Sequence, residues 1–118
     1  MRYEVLQPTS HQEALLAEGG TPQQLALALI VTGLHDEDST WAESFCTRLA
    51  AHSSPVVRAA AMLGLAHLAR RFGELAEDRV RPLVEAGLAD TDAEVRGQAD
   101  DAADDIEVFL KWRVTRPV

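Results

Sequence analysis

The sequence predicts an all-α fold, about six helices in three stacked antiparallel hairpins, and three observations lead there. Alanine and leucine dominate the apolar residues while aromatics make up 5% of the chain. Ala and Leu are strong helix formers, whereas strands favour Val, Ile, Tyr and Phe. Helix start and stop signals follow one another along most of the chain, and one stretch recurs in register further on. At 118 residues, 47% hydrophobic and 25% charged, the chain has the size and composition of one ordered domain.

Residues 1–9 form an N-terminal arm carrying Tyr3, Val5 and Leu6, without the apolar stretch of a secretory signal. Ser10-His-Gln-Glu13 is a capping box that opens the first helix, and Gly19-Gly20 stops it. Thr21-Pro22-Gln23-Gln24 opens the second, with Thr21 as cap, Pro22 in the first turn and Gln24 completing the box. That helix is apolar almost all round, which predicts burial between two neighbours. After the polar break Asp36–Thr40, a third helix is expected from about Trp41 to Ala51, with Trp41, Phe45 and Leu49 on one face. Ser54 is the expected cap of a fourth helix, Pro55 to Phe72, ended by Gly73. The fifth runs from Glu77 or Asp78 to Leu88, with Pro82 expected near its first turn. Asp92 caps the sixth, read as Ala93 to Trp112, with Lys111 and Arg113 near the negative end of its dipole. The hairpins are then 10–35, 40–72 and 77–112, followed by a tail at 113–118.

The internal repeat is the strongest signal. Ala51-His-Ser-Ser-Pro-Val-Val57-Arg58-Ala-Ala-Ala61 aligns without gaps on Ala89-Asp-Thr-Asp-Ala-Glu-Val95-Arg96-Gly-Gln-Ala99. Leu65 and Ala103, Leu68 and Ile106, and Phe72 and Leu110 continue the register. Similarity at a fixed period marks stacked units that cannot bury their apolar faces alone. The pattern Asp-x-x-Val-Arg-x-x-Ala at the start of a second helix resembles the HEAT repeat. It is carried by Ser54–Ala61 and Asp92–Ala99 and more loosely by Thr21–Ala28. The units are shorter than the usual roughly 40–47 residues. The resemblance implies that Val57 and Val95 pack inside, and that Arg58 and Arg96 pair with an acidic or carbonyl group of a neighbouring repeat. It also implies that helices two, four and six share a concave face. Helix four would bring Arg58, Met62, His67, Arg70 and Arg71 to that face, making it basic in the middle and acidic at the C-terminal end.

A net charge of −8 argues against nucleic acid or an anionic membrane as partner, since phosphate binding needs clustered Lys and Arg. It suits solubility, and equally a cationic partner. The longest apolar run, Leu25 to Val31, is far short of the roughly 20 residues that span a bilayer, and a cytoplasmic location is expected. The single cysteine, Cys46, excludes an intramolecular disulfide and reads as a buried structural thiol.

No catalytic or metal motif emerges. The histidines His11, His35, His52 and His67 lack zinc-ligand spacing. His35-Asp36-Glu37-Asp38 lacks the spaced ligands and central glycine of a calcium loop and reads as a solvated cap. There is no phosphate-binding glycine loop and no Gly-x-Ser-x-Gly. The conspicuous feature is acidic: Asp100, Asp101, Asp104, Asp105 and Glu107 surround the core positions Ala99, Ala102, Ala103 and Ile106. Asp100/Asp104 and Asp101/Asp105 are like-charge i, i+4 pairs that weaken a helix by about 0.2–0.5 kcal/mol each, with Arg96–Asp100 and Glu107–Lys111 expected to offset part of this. Three readings are open: a solubilising outer face on a terminal repeat, a surface that receives a cationic partner, or a paired-carboxylate catalytic site. Exposed carboxylates lack the desolvation that shifts a pKa, which counts against the last.

The expectation is a non-catalytic protein–protein interaction module without cofactor or metal. Its partner would be a basic protein, contacted by Asp100, Asp101, Asp104 and Asp105, and neither nucleic acid nor membrane. Size, acidity and the repeats resemble small bacterial HEAT-like immunity proteins, which implies neutralisation of a cationic toxin domain. The alternative is a structural or regulatory adaptor within a larger assembly, with an apolar interface around Trp112 or the N-terminal arm.

Overall fold

The computed structural model of the protein describes residues 10–117. Its helices are α1 (His11–Ala17), α2 (Pro22–His35), α3 (Ser39–Leu49), α4 (Pro55–Phe72), α5 (Glu77–Leu88) and α6 (Ala93–Phe109), with no strand among the described residues. Tyr3, Val5 and Leu6 of the expected arm lie outside them. Consecutive helices pair as α1/α2, α3/α4 and α5/α6, while α2, α4 and α6 pack side by side with α4 in the middle. The assembly measures 38 × 29 × 25 Å.

Local chemistry sets most helix ends. Ser10 Oγ accepts the Glu13 N–H (3.1 Å) while the Glu13 carboxylate accepts the Ser10 N–H (3.2 Å), and Thr21 and Gln24 repeat the arrangement. Asp38 caps α3 through the Trp41 N–H, so this helix starts earlier than its aromatic face suggests and ends at Leu49. Asp92 Oδ1 accepts the N–H groups of Glu94 and Val95, both at 3.0 Å. Gly73, at φ +64°, closes α4 in a left-handed conformation that a side chain would strain.

Several local expectations are corrected. Ser54 makes no side-chain cap; its own N–H donates to His52 Nδ1 at 2.9 Å. Pro82 is the sixth residue of α5, beyond the first turn, where both it and Asp78 are exposed, so water can reach the carbonyl left without a donor. Helix α6 ends at Phe109, not Trp112, because Lys111 adopts φ +64° and turns the chain. Lys111 is therefore outside the last turn, and the expected Glu107–Lys111 and Arg96–Asp100 pairs do not form among the described residues.

The core lies between the layers and is built from small residues. Val57, Ala61, Leu65, Leu68 and Ala69 of α4 are fully buried, as are Ala99, Ala103 and Ile106 of α6. Helices α2 and α4 meet backbone to backbone: a Cβ on Gly33 would stand 2.8 Å from the Gly64 Cα. Gly64 in turn leaves room for Cys46 Sγ, and Gly87 of α5 for Ala99 and Met62. Such contacts let helices approach closely at high packing density.

Polar struts tie the hairpins together. Arg58 donates from Nε and Nη2 to both oxygens of Asp90, at 2.9 and 3.0 Å, joining the second hairpin to the third. Arg71 reaches back to the carbonyls of Gly33 and Asp36 at the end of α2. The buried Glu43 carboxylate accepts the Ala76 N–H at 2.8 Å and a bond from Arg79, fixing the start of α5 to α3. Arg48 holds Glu18 bidentately, with both bonds at 2.8 Å.

Candidate functional site

The acidic residues of α6 fall on two sides of the helix. Asp100, Asp104 and Glu107 recur at i, i+4 and i+7 and share a face, with Asp101 and Asp105 on the neighbouring one. The first face carries its own cation. Arg116 folds back from the tail and donates from Nη2 to Asp104 (2.7 Å) and Glu107 (3.1 Å), with Nη1 3.9 Å from Asp100. The second face looks onto α4, where Arg70 Nε stands 3.4 Å from Asp105. Asp101 is exposed and has no cation partner among the described residues. The four aspartates singled out by sequence are therefore neighbours, but three are engaged by this chain's own arginines. Carboxylate oxygens of Asp100, Asp101 and Asp104 lie within 4.8 Å of one another on exposed side chains.

Where α4 and α6 meet, two depressions sharing Leu63 form a shallow groove. The acidic one, of about 280 Å³, is lined by Leu63, Ala66, Arg70, Asp101, Asp104 and Asp105. Leu63 also lines a second depression of about 130 Å³ with Ala26 and Ile30 of α2, Val56, Ala59 and Ala60 of α4, and Glu94 and Gln98 of α6. Alanine dominates the floor because α2, α4 and α6 pack closely there, and the α6 wall supplies carboxylates. The groove can seat an aliphatic side chain at one end and a cation at the other.

The expected basic middle is not found. Met62 is 1% exposed and belongs to the core, while Arg58 and Arg71 are used as struts between helices. Arg70 alone of that set lines the groove, and Asp105 stands beside it. Val57 and Val95 are buried, as the repeat implied. Arg58 pairs across hairpins, but Arg96 donates only to the Asp90 and Thr91 carbonyls of its own loop.

Among the histidines His11 and His52 are held by structural partners, whereas His35 Nε2 is buried without one among the described residues. His11 stacks on Trp41 at 3.8 Å and bonds Asp36 at 2.8 Å, and His52 accepts a loop N–H. His67 takes a hydrogen bond from Arg70 on Nδ1 while its Nε2 is buried without a partner. Burial, then the charges of Arg70 and Arg71, lower its pKa to about 4, so it is neutral at physiological pH. Cys46 is fully buried, and desolvation followed by the charges of Asp36 and Glu43 raises its thiol to about 12, which makes it an inert packing residue. Asp90 is held below the ordinary carboxylate range by Arg58 and by the Asp92 N–H.

Sequence reasoning missed a cleft of about 380 Å³ between α3 and the start of α5, lined by Ser39, Thr40, Phe72 and Leu75 with the Glu43–Arg79 pair. It also missed Arg116, whose position in the tail gave no signal that the chain reverses at Lys111. Among the described residues no helix is long and apolar enough to cross a membrane. Comparison with protein-family models, curated protein sequences and solved structures finds no match.

Proposed function

We propose that this protein is a non-catalytic interaction module that docks a basic protein segment along the groove between α4 and α6. The observation carrying this reading is Asp101, an exposed carboxylate without a cation partner among the described residues, set beside an alanine-floored groove that Asp104, Asp105 and Glu94 also line. Charge complementarity of this kind steers encounter and fixes register more than it adds affinity. The net charge of −8 favours a cationic partner over nucleic acid or an anionic membrane. The structural employment of His11, His52 and Cys46 supports a binding role over catalysis.

The Val-Arg repeat and the layer of α2, α4 and α6 favour the resemblance to HEAT-like solenoids, which present extended surfaces to partners. Neutralising a cationic toxin domain, as an immunity protein in the cytoplasm, is the specific form this reading takes. Changing Asp100, Asp101, Asp104 and Asp105 together to Asn should abolish capture of a basic partner from a lysate of the source cells at low salt. A partner retained by the Asn variant with the same salt dependence would refute the docking surface.

A structural or regulatory adaptor is the second reading. It is favoured by Val108 and Phe109, which are 57% and 45% exposed at the end of α6. A partner indifferent both to salt and to the four Asn substitutions would point there.

A further inference from the structure

We propose that the strap after α6, Trp112–Pro117, is a built-in competitor for the acidic docking face, with Arg116 occupying Asp104, the carboxylate that the strap's side of α6 shares with the groove. The proposal rests on the docking reading above and adds its regulation.

The strap is a defined element. Lys111, at φ +64°, reverses the chain after α6, and Trp112 packs partly buried against the core. Val114 is 4% exposed, and its N–H donates to Glu107 at 3.2 Å. The Thr115 N–H donates to Glu85 of α5 at 2.8 Å. The chain is thereby anchored up to the residue before Arg116, whose guanidinium lies on Asp104 and Glu107 with Asp100 beyond.

The anchor and the cation are held unequally. Val114 is buried, so the body of the strap resists release. Arg116 sits at the surface, with side-chain exposures of 35% for itself and 65% for Asp104. Exposed pairs of this kind are weak and screened by salt. Its Nη1 is buried without a hydrogen-bond partner, so the guanidinium is incompletely satisfied. The Arg116 end can therefore lift while Val114 stays seated.

Asp104 couples the two sites, since it both pairs with Arg116 and lines the groove. A tethered cation competes at an effective concentration in the millimolar range. A lone lysine or arginine from solution cannot overcome that. A segment that also places an aliphatic side chain against Leu63 and a cation on Asp101 can. The strap thus selects for partners carrying an aliphatic residue close to an arginine, the chemistry of its own Val114-Thr115-Arg116.

The test uses the full chain and a fluorescent capped peptide of sequence Trp-Arg-Val-Thr-Arg-Pro, read by anisotropy at low salt. Arg116→Ala should bind this peptide at least ten-fold more tightly than the unaltered protein, and Arg116→Lys should bind it as weakly as the unaltered protein. Adding Asp104→Asn to Arg116→Ala should return the affinity to the unaltered level. Equal affinity of the unaltered and Arg116→Ala proteins, or weaker binding by Arg116→Ala, would overturn the strap's role. If Asp101→Asn/Asp105→Asn then still weakens peptide binding, the docking face stands and only the strap proposal falls. Peptide binding indifferent to every carboxylate of α6 would remove both.

Discussion

Helices α4 and α6 begin with the same motif and end in different circumstances. At each start a buried valine precedes an arginine whose Nη1 donates to two carbonyls of the preceding loop. The loops match as well: Ser54 N–H bonds His52 Nδ1 where Asp92 N–H bonds Asp90 Oδ1. Only Arg58 extends further, using Nε and Nη2 to grip Asp90 of the next hairpin. Arg96 makes no such rung among the described residues. The motif thus encodes a local loop lock, and the link between hairpins needs a carboxylate supplied by a neighbour. The outer surfaces follow the same division. Helix α4 packs on both α2 and α6 through alanine and glycine, whereas α6 carries carboxylates and the strap on its exposed sides.

The largest effect is expected at the backbone contact between α2 and α4. Gly33→Ala places a Cβ 2.8 Å from the Gly64 Cα and 3.0 Å from its carbonyl oxygen. Overpacking against backbone outweighs alanine's helix preference, and a loss of about 2–3 kcal/mol is expected in urea unfolding. A neutral result would mean that α2 and α4 can separate without cost.

The next effect is the rung. Arg58→Ala should cost about 1–2 kcal/mol, a charged hydrogen bond discounted for partial exposure, while Arg96→Ala should cost about 0.5 kcal/mol. The pair also predicts a pH signature. Asp90 has a folded pKa depressed by Arg58, so its stabilisation is present above the unfolded carboxylate pKa near 3.9. It is lost as pH falls through the depressed folded value. Acid unfolding of Arg58→Ala should therefore lose part of its dependence below about pH 4, and that of Arg96→Ala should largely keep it. Equal losses for the two variants would erase the distinction between an arginine that bridges hairpins and one that locks only its own loop.

The smallest effect is a gain. Gly97 of α6 is exposed, and a methyl group there would meet nothing within 4 Å. Gly97→Ala should raise stability by about 0.5–1 kcal/mol in the same urea experiment. Opposite signs at Gly33 and Gly97 would express how differently the two helices are surrounded.

The capping residues Ser10, Thr21 and Asp92, the stop at Gly73 and the burial of Val57 and Val95 were legible because a few neighbouring residues decide them. Two local expectations failed: the Ser54 side chain makes no cap, and Lys111 left the helix that periodicity had extended to Trp112. The acidic face of α6 was half legible. Its carboxylates appear in the sequence as a run, but which are free depends on Arg70 and Arg116, brought in from another helix and from the tail.

Capping, periodicity and net charge act over a few residues or over the whole chain, so the all-α class, most helix starts, the repeat and the acidic last helix are written in the sequence. That Arg58 meets Asp90, that Met62 is core and that Arg116 covers part of the acidic face follow from the packing of the helices. Those outcomes rest on contacts between residues distant in the chain, whose energies depend on burial and geometry that no short stretch of sequence specifies.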